Sequence, residues 1–142
     1  DLNADLVSSL GADTIIDRHT SDFTNVEAAY DVIFDAVGKS SFSACRRALK
    51  PGGIYLTTTP SFAILWAMLT GRDKQGKRGK LATTGLRPLP DKARDMLLLS
   101  ELVAEGKLHG VIDRVMPLEA IAEAHRYVEQ ETKAGDVIIE MP

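Results

Sequence analysis

The sequence predicts an α/β fold, a doubly wound parallel sheet with helices on both faces. The first observation is a short unbroken apolar run, Val32-Ile33-Phe34, which is typical of a strand covered on both sides. The second is the alternation of helix and strand patterns, in the order αβ(α)βαβ, over residues 1–59. Strands separated by helices pair in parallel through right-handed crossovers, as they do in nucleotide-binding sheets.

A strand–helix–strand crossover forms the centre of this prediction. After the apolar run, a helix over residues 42–49 can be capped by the hydroxyl of Ser40 or Ser41. Lys50-Pro51-Gly52-Gly53 ends that helix, because proline cannot continue it and glycine permits the left-handed turn of a C-cap. Residues 54–59 are rich in β-branched and aromatic side chains and are expected to form the second strand.

The flanking regions predict further elements of the same kinds. Apolar spacing in the helix from Pro90 to Gly106 predicts a buried stripe, and His125 is expected to pack in the core. We expect helices at 1–10 (capped by Asp1 or Asn3), 90–105 and 119–129, strands at 14–17, 81–87, 111–116 and 137–140, and a buried stripe of Met96, Leu99, Leu102 and Val103.

Composition excludes several classes of function. Seventeen basic and twenty acidic residues give a net charge of −3, which does not favour nucleic acid as a partner. The single cysteine excludes an internal disulfide and a multi-cysteine zinc site, and a cytoplasmic or organelle-matrix protein fits this composition best. The longest apolar stretch, residues 62–69, is too short to span a bilayer, so we expect no membrane partner. We interpret that stretch as a helix packed on the core or beneath a neighbouring subunit.

Ligand contacts are expected beyond the carboxyl ends of the strands, where open parallel sheets bind their ligands. Three such ends are visible, at Asp17-Arg18, Ala36-Val37-Gly38 and residues 57–60. Asp35 lies at one of them, but a carboxylate in that position is more often a turn cap than a catalytic acid. Cys45 falls on the buried side of its helix and is expected to be inert. We predict no catalytic residue and no metal site in this sequence.

Four segments, in order along the chain, resemble the medium-chain dehydrogenase/reductase superfamily, and most of all its zinc-independent, quinone-oxidoreductase-like branch. The most specific is PLEAIAEAH, followed after a short gap by KAGDVII. The four segments are LGADTIID, YDVIFDAVGKSSFSACRRALKPGGIYL, VIDRVMPLEAIAEAHRYVE and KAGDVIIEM.

The resemblance implies a partial Rossmann fold that lacks its first βα unit, in the back part of a longer protein. Residues 1–110 would be the partial NAD(P)-binding domain, and residues 111–142 a helix and strand returning to the catalytic domain. The phosphate-binding GxGxxG turn of that fold is absent from these residues, so we expect it upstream and expect this segment alone to be inactive.

The resemblance also implies an enzyme that transfers hydride from NADPH or NADH to a quinone, enone or carbonyl substrate. A homodimer through an edge strand at Leu81–Arg87 is expected. Cofactor contacts would come from three regions of the chain. By the match, Arg18 falls near the adenine, Ala36, Val37 and Gly38 near the ribose and diphosphate, Thr58 and Thr59 near the nicotinamide half, and Lys133 in the C-terminal turn that approaches the cofactor.

Two other functions compete with this one. Methyltransferases that use S-adenosylmethionine share the strand, helix, LKPGG and strand order, but they continue with a helix and an antiparallel hairpin. This chain continues instead with residues 111–141, which resemble the dehydrogenase superfamily. A non-catalytic nucleotide-binding or dimerising remnant is the second competitor, and it is supported only by what the sequence lacks.

Overall fold

The computed structural model describes residues 3–71, 73–130 and 133–141. The chain divides into two compact units, Asp1–Arg87 and Pro88–Pro142. Each unit contains parallel strands joined through helices, so the predicted α/β class is confirmed.

The described residues of the first unit form three strands and three helices. They are α1 (Ala4–Ser9), β1 (Tyr30–Asp35), α2 (Phe42–Cys45), β2 (Leu49–Thr57), α3 (Phe62–Thr70) and β3 (Arg78–Leu81), with 3₁₀ turns at Phe23–Asn25 and Thr84–Leu86. The second unit carries α4 (Leu89–Ala104), β4 (Ile112–Pro117), α5 (Ile121–Glu129) and β5 (Asp136–Glu140), with a 3₁₀ turn at Leu118–Ala120.

The sheet of the first unit has the order β1-β2-β3, and both pairings are parallel. Its register places Asp35 opposite Thr57, and Thr57 opposite Leu81. The three strands therefore end at the same edge of the sheet, and the segments that follow them start side by side.

The core of this unit lies between one face of the sheet and the helices α2 and α3. Tyr55 is only 2% exposed, and Cys45 and Ile64 are buried beside it. Gly79 on β3 lets α3 approach closely, since a Cβ there would lie 2.9 Å from Ile64 Cδ1 and 3.2 Å from Ala67 Cβ. The helix thus rests on the backbone of β3 with no side chain between them.

Helix α3 confirms the expected packing of residues 62–69 on the core. Its N-cap is Ser61, whose hydroxyl accepts the Ile64 N–H at 3.3 Å. Ile64 and Ala67 are buried, whereas the outward side is strongly apolar and exposed. The exposed apolar residues are Phe62, Leu65, Trp66, Met68 and Leu69.

In the second unit, β4 and β5 pair in parallel with α5 between them in the chain. Asp113 accepts hydrogen bonds from the Tyr127 hydroxyl at 2.7 Å and from the Ala134 N–H at 3.1 Å. The Arg114 guanidinium lies 3.8 Å above the Tyr127 ring. These contacts join the strand, the helix and the turn before β5.

The predicted edge strand at Leu81–Arg87 is wrong. The strand lies earlier, at Arg78–Leu81, and the chain then turns through a 3₁₀ segment in which the Leu86 N–H donates to the Thr83 carbonyl at 3.0 Å. The sequence of β3 lacks the alternation of apolar and polar residues that predicts a strand. Arg78 and Lys80 are charged, and the buried residue between them is Gly79, which has no side chain.

The predicted strand at 14–17 is also absent. Ile15 and Ile16 are exposed, and no described strand runs beside them to provide a hydrogen-bonded partner. Asp17 instead organises a turn, in which its carboxylate accepts the His19 N–H at 2.8 Å and its carbonyl accepts the Ser21 N–H at 2.9 Å.

The central crossover is confirmed with shifted boundaries. Ser41 is the N-cap of α2, as one of the two predicted alternatives, but the helix ends at Cys45. The chain enters β2 already at Leu49, because Leu49 pairs with Tyr30 across a bulge. The Pro-Gly-Gly segment thus lies within β2, and the strand stops at Thr57.

Two packing predictions, for α4 and for His125, are wrong, and the predicted capping of α1 lies partly outside the described residues. On α4, Met96, Leu99 and Val103 are exposed and only Leu102 is half-buried, since α4 makes no extensive contact with β4 or β5, the described strands of its own unit. His125 is exposed, because the buried side of α5 passes through Ala124. The capping position of Asp1 lies outside the described residues, and Asn3 occupies the N-cap of α1 without a side-chain hydrogen bond.

Candidate functional site

The carboxyl ends of β1 and β2 bring two predicted contact segments together. Residues 36–38 follow β1 and residues 58–59 follow β2. The Thr58 hydroxyl donates to the Ala36 carbonyl at 3.1 Å, and the Thr58 N–H donates to the Asp35 carbonyl at 3.4 Å. Five of the predicted contact residues, Ala36, Val37, Gly38, Thr58 and Thr59, therefore form one surface.

Gly38 and Thr59 are the closest point between these segments. Gly38 has a φ of +78°, a conformation that side-chain-bearing residues rarely adopt. A Cβ at this position would lie 2.6 Å from Thr59 Oγ1 and 2.7 Å from Thr59 Cβ. The position requires glycine for its backbone conformation and for the space beside Thr59.

The shape of the first segment is set by the carboxylate of Asp35. Its Oδ1 accepts the Val37 N–H at 3.1 Å and the Gly38 N–H at 2.6 Å. Its Oδ2 accepts the Ser40 N–H at 2.9 Å and the Tyr55 hydroxyl at 2.8 Å. Four donors converge on one side chain, which confirms that Asp35 caps the turn.

These contacts shift the pKa values of the groups involved. Burial raises the pKa of Asp35, but the hydrogen bonds from Ser40, Tyr55, Gly38 and Val37 outweigh it and hold that pKa below its usual range. Burial raises the pKa of the Tyr55 phenol, and the hydrogen bond and charge of Asp35 raise it further. Asp35 is thus an ionised acceptor and Tyr55 a protonated donor.

Cys45 lies beneath this segment, with its sulfur 3.1 Å from the Ser40 hydroxyl. Burial raises the pKa of its thiol, although the Ser40 hydrogen bond acts in the opposite direction. The predicted burial of Cys45 is confirmed, and a buried, protonated thiol is a poor nucleophile.

A small hollow of about 30 Å³ opens behind Gly38 and Thr59. Its size fits one water molecule and excludes a nicotinamide or ribose ring. On the outer surface beside this hollow, Val37 is 69% exposed. Hydroxyl groups line much of the hollow, from Ser40, Ser41, Tyr55, Thr57, Thr59 and Ser61.

Arg18 lies apart from this surface, in a second hollow of about 360 Å³ in the same unit. The walls of that hollow are largely apolar and include Ile16, Phe23, Val32 and Ile33. Its volume and apolar lining suit a flat ring system such as adenine. The hollow shares no lining residue with the surface around Gly38.

Lys133 belongs to the second unit, in the turn before β5. Its ammonium donates to the Gly135 carbonyl at 2.8 Å, and the next residue, Ala134, is held by Asp113. The hydrogen bonds from Tyr127 and Ala134 hold the pKa of Asp113 below its usual range, despite a raising effect of burial. Lys133 therefore extends from a turn that its neighbours fix.

Sequence reasoning missed Tyr55 as a residue that shapes the site. A tyrosine within an otherwise aliphatic buried strand carries a hydroxyl that needs a partner, and this signal could have found it. Asp35, two residues beyond the position that pairs with Tyr55, was the available acceptor.

Within residues 3–71, 73–130 and 133–141, no group of three or more His, Cys, Asp or Glu side chains could hold a metal ion. No described helix combines the length and the apolar character that crossing a bilayer requires.

Comparison with known proteins places these observations in context. A family model described as zinc-binding dehydrogenase matches residues 10–139. The chain is 27% identical over 138 residues to the chloroplastic NADPH-dependent alkenal/one oxidoreductase of Arabidopsis thaliana, covering 95% of this chain and 30% of that protein. It is also 27% identical over 142 residues to the chloroplast envelope quinone oxidoreductase homolog of the same plant, covering 97% and 42%.

Among solved structures, the quinone oxidoreductase from Coxiella burnetii superposes with a TM-score of 0.77 at 21% identity. That match covers 100% of this chain and 43% of the other. At this level of identity the likeness concerns the fold alone. The chain spans less than half the length of these relatives, so it corresponds to one portion of each.

Proposed function

The chain belongs to the zinc-binding dehydrogenase family, within the medium-chain dehydrogenase/reductase superfamily, and we propose that it is the cofactor-binding part of an NAD(P)H-dependent oxidoreductase. Membership of the superfamily confirms the resemblance read from the sequence. The activity of the complete protein is inferred from its relatives, two of which are named as oxidoreductases of alkenals and quinones.

One structural observation carries this proposal. The segments after β1 and β2 meet at Gly38 and Thr59, and they present the exposed Val37 beside threonine hydroxyls. An apolar side chain next to hydroxyl groups suits one side of a dinucleotide, whose rings need apolar contact and whose ribose needs hydrogen-bond partners. When bound, NAD(P)H would supply the hydride; the residues of this chain would bind and orient it.

The seven predicted contact residues keep their proposed roles. Residues 36–38 would contact the ribose and diphosphate, and residues 58–59 the nicotinamide half. Arg18 would border the adenine in its own apolar hollow, and Lys133 would approach from the turn before β5. We propose the division at residues 110 and 111 between the cofactor domain and the segment returning to the catalytic domain.

The substrate class follows from the same relatives. Alkenals, enones and quinones share a carbon–carbon double bond conjugated to a carbonyl, which accepts hydride readily. We propose a small molecule of this class, or a carbonyl compound, as the hydride acceptor. Both NADPH and NADH are candidates, and the name of one relative favours NADPH.

The methyltransferase alternative is disfavoured by the second unit. Those enzymes are expected to continue with an antiparallel hairpin, whereas β4 and β5 pair in parallel with α5 between them. The parallel unit agrees with the dehydrogenase assignment. No observation favours a non-catalytic remnant.

We propose a homodimer that pairs through β3, the edge strand that replaces the predicted strand at 81–87. The Ala82 N–H donates to the Thr57 carbonyl at 2.8 Å, so alternate N–H groups along the strand point towards β2. The N–H of Leu81 therefore points to the outer edge, where the described part of the chain provides no partner strand. An exposed edge of this kind can pair with a second copy across a two-fold axis.

A cytoplasmic location is also proposed. The one cysteine of the chain is buried and free, which fits a reducing compartment. Fractionation of cells that express the complete protein, with detection in the cytosolic fraction, tests this location.

The activity is tested on the full-length protein by following oxidation of NADPH and NADH in the presence of a quinone or an enone. We expect acceptor-dependent oxidation. Val37→Glu should raise the KM for the cofactor about tenfold, because a carboxylate on an exposed position would repel its phosphates. Val26→Glu, at a partly exposed valine away from the two segments, is the matched control and should leave KM unchanged. Failure of the full-length protein to bind either cofactor would refute the proposal.

A further inference from the structure

We propose that Tyr55 is a positioning residue for the cofactor, acting through the carboxylate of Asp35 on residues 36–38. The inference rests on the proposed function, because those residues are the proposed cofactor contacts. It assigns a role to a side chain that does not reach the cofactor surface.

Tyr55 is held firmly in the core. It lies in the second half of β2, is 2% exposed, and packs in the cluster that contains Cys45, Leu49 and Ile64. It pairs with Ile33 on β1, so Asp35 lies two residues further towards the carboxyl end and on the same face of the sheet. Its hydroxyl therefore reaches the diagonal neighbour and donates to Asp35 Oδ2 at 2.8 Å.

The carboxylate transmits this constraint. A carboxylate is planar, so fixing one oxygen fixes the direction of the other. Oδ2 is fixed by Tyr55, with help from the Ser40 N–H, and Oδ1 then faces the N–H groups of Val37 and Gly38. The position of residues 36–38, which form the proposed cofactor surface, therefore depends on a side chain in the core.

Direct contact between Tyr55 and the cofactor is excluded by size. The hollow that Tyr55 borders is about 30 Å³, which admits a water molecule and no ring of the dinucleotide. Any influence of Tyr55 on cofactor binding must pass through other residues. Asp35 is the residue to which its hydroxyl donates, and it is bonded directly to the loop.

Loss of the Tyr55 hydroxyl should loosen the loop without unfolding it. In Tyr55→Phe, Asp35 would keep three backbone donors and lose the one that comes from the core. We expect the KM for NADPH to rise about fivefold, the ratio that corresponds to one ordinary hydrogen bond, and kcat to change by less than about twofold. Amide hydrogen exchange at Val37 and Gly38 should accelerate in the absence of cofactor.

The experiment uses full-length protein and two comparison variants. Ile64→Val removes one methylene from the same core cluster and should lower the melting temperature by about as much as Tyr55→Phe does. The KM and the amide exchange at Gly38 should stay unchanged in this variant. Asp35→Ala combined with Tyr55→Phe should have the same KM as Asp35→Ala alone, because alanine leaves no acceptor for the Tyr55 hydroxyl and Tyr55 acts through the carboxylate.

The inference would be overturned, in a protein that binds NAD(P)H, by unchanged exchange and KM in Tyr55→Phe, or by effects of the Tyr55 and Asp35 substitutions on KM that multiply independently. An equal rise of KM in Ile64→Val would also overturn it, since general loss of stability would then be the cause. A wild-type protein that binds no NAD(P)H would instead refute the proposed function, and with it the role of Tyr55 towards the cofactor.

Discussion

Replacing Gly38 with alanine would place a methyl group where the structure has no room for one. Two costs are expected, and they differ in origin. The φ of +78° costs a residue with a side chain about 1–2 kcal/mol. The new Cβ would also lie 2.6–2.9 Å from three atoms of the Thr59 side chain, an overlap that costs about 1–3 kcal/mol. Gly38→Ala should therefore lower the free energy of unfolding by about 2–5 kcal/mol.

A second substitution separates the two costs. Thr59→Gly removes all three overlapping atoms, so the double variant should recover the steric share and keep only the cost of the positive φ. Thr59→Ser retains the Cβ that would lie 2.7 Å from the new methyl group, so it should recover little. The expected coupling between Gly38→Ala and Thr59→Gly is about 1–3 kcal/mol.

The assay is urea denaturation of the full-length protein, with NADPH affinity measured in parallel by fluorescence titration. In the double variant, affinity should remain reduced about tenfold or more although the steric share of the stability has recovered, because the new methyl group remains beside the proposed cofactor surface and Thr59, a proposed contact, is lost. Additive free energies for the two substitutions would refute the steric reasoning. Wild-type affinity in the double variant would refute the placement of the cofactor against Gly38.

Three further predictions concern the pH response, the dimer and the core. Since hydrogen bonds lower the pKa of Asp35 in the folded state, its stabilising effect is complete above the unfolded pKa of about 3.9 and is lost as the pH falls through the lower folded value. Asp35→Asn should accordingly destabilise the protein at pH 7 by about 2 kcal/mol and flatten the acid limb of a stability-versus-pH curve, and an unchanged acid limb would contradict this. Leu81→Pro removes the N–H of residue 81 at the outer edge of β3 and should shift the full-length protein towards monomer in sedimentation equilibrium. Leu81→Ala keeps that N–H and should remain dimeric. Equal behaviour of the two variants would count against pairing through this edge. Ile64→Ala should lower the free energy of unfolding by about 2–4 kcal/mol because Ile64 is 2% exposed. In the same urea titration, Leu65→Ala on the exposed side of α3 should change that free energy by less than about 0.5 kcal/mol. Similar losses in the two variants would refute the described packing.

The sequence predicted those parts of the fold that depend on local signals. The apolar run at Val32 marked β1, the hydroxyl of Ser41 marked the start of α2, and the order of elements implied parallel pairing. Each of these signals has its cause in neighbouring residues. Local chemistry therefore sufficed to predict the crossover and the meeting of its carboxyl ends.

Other features depend on contacts between distant parts of the chain and could not be read locally. The strand at Arg78–Leu81 shows no apolar alternation, because its inward residue is a glycine. Helix α3 packs so closely on this position that a larger side chain would overlap it. The stretch at 14–17 has a strand-like composition but no described neighbour to pair with. The role of Tyr55 required knowledge of the register that places it diagonally from Asp35.

The close seating of α3 on Gly79 has a consequence for how relatives of this chain can diverge. Side chains of three residues, Phe42, Ile64 and Ala67, approach within 3.3 Å of the place where a Cβ would stand. An evolutionary change from glycine at this position should therefore be accompanied by a smaller residue at position 64 or 67. Ser61, the N-cap of α3, borders the hollow behind Thr59, so in a relative that lacks such compensation the N-terminal end of α3 and this edge of the hollow would be displaced together. In alignments of the family, residue 79 should covary with residues 64 and 67 of α3 and vary independently of the outward-facing residues of the sheet.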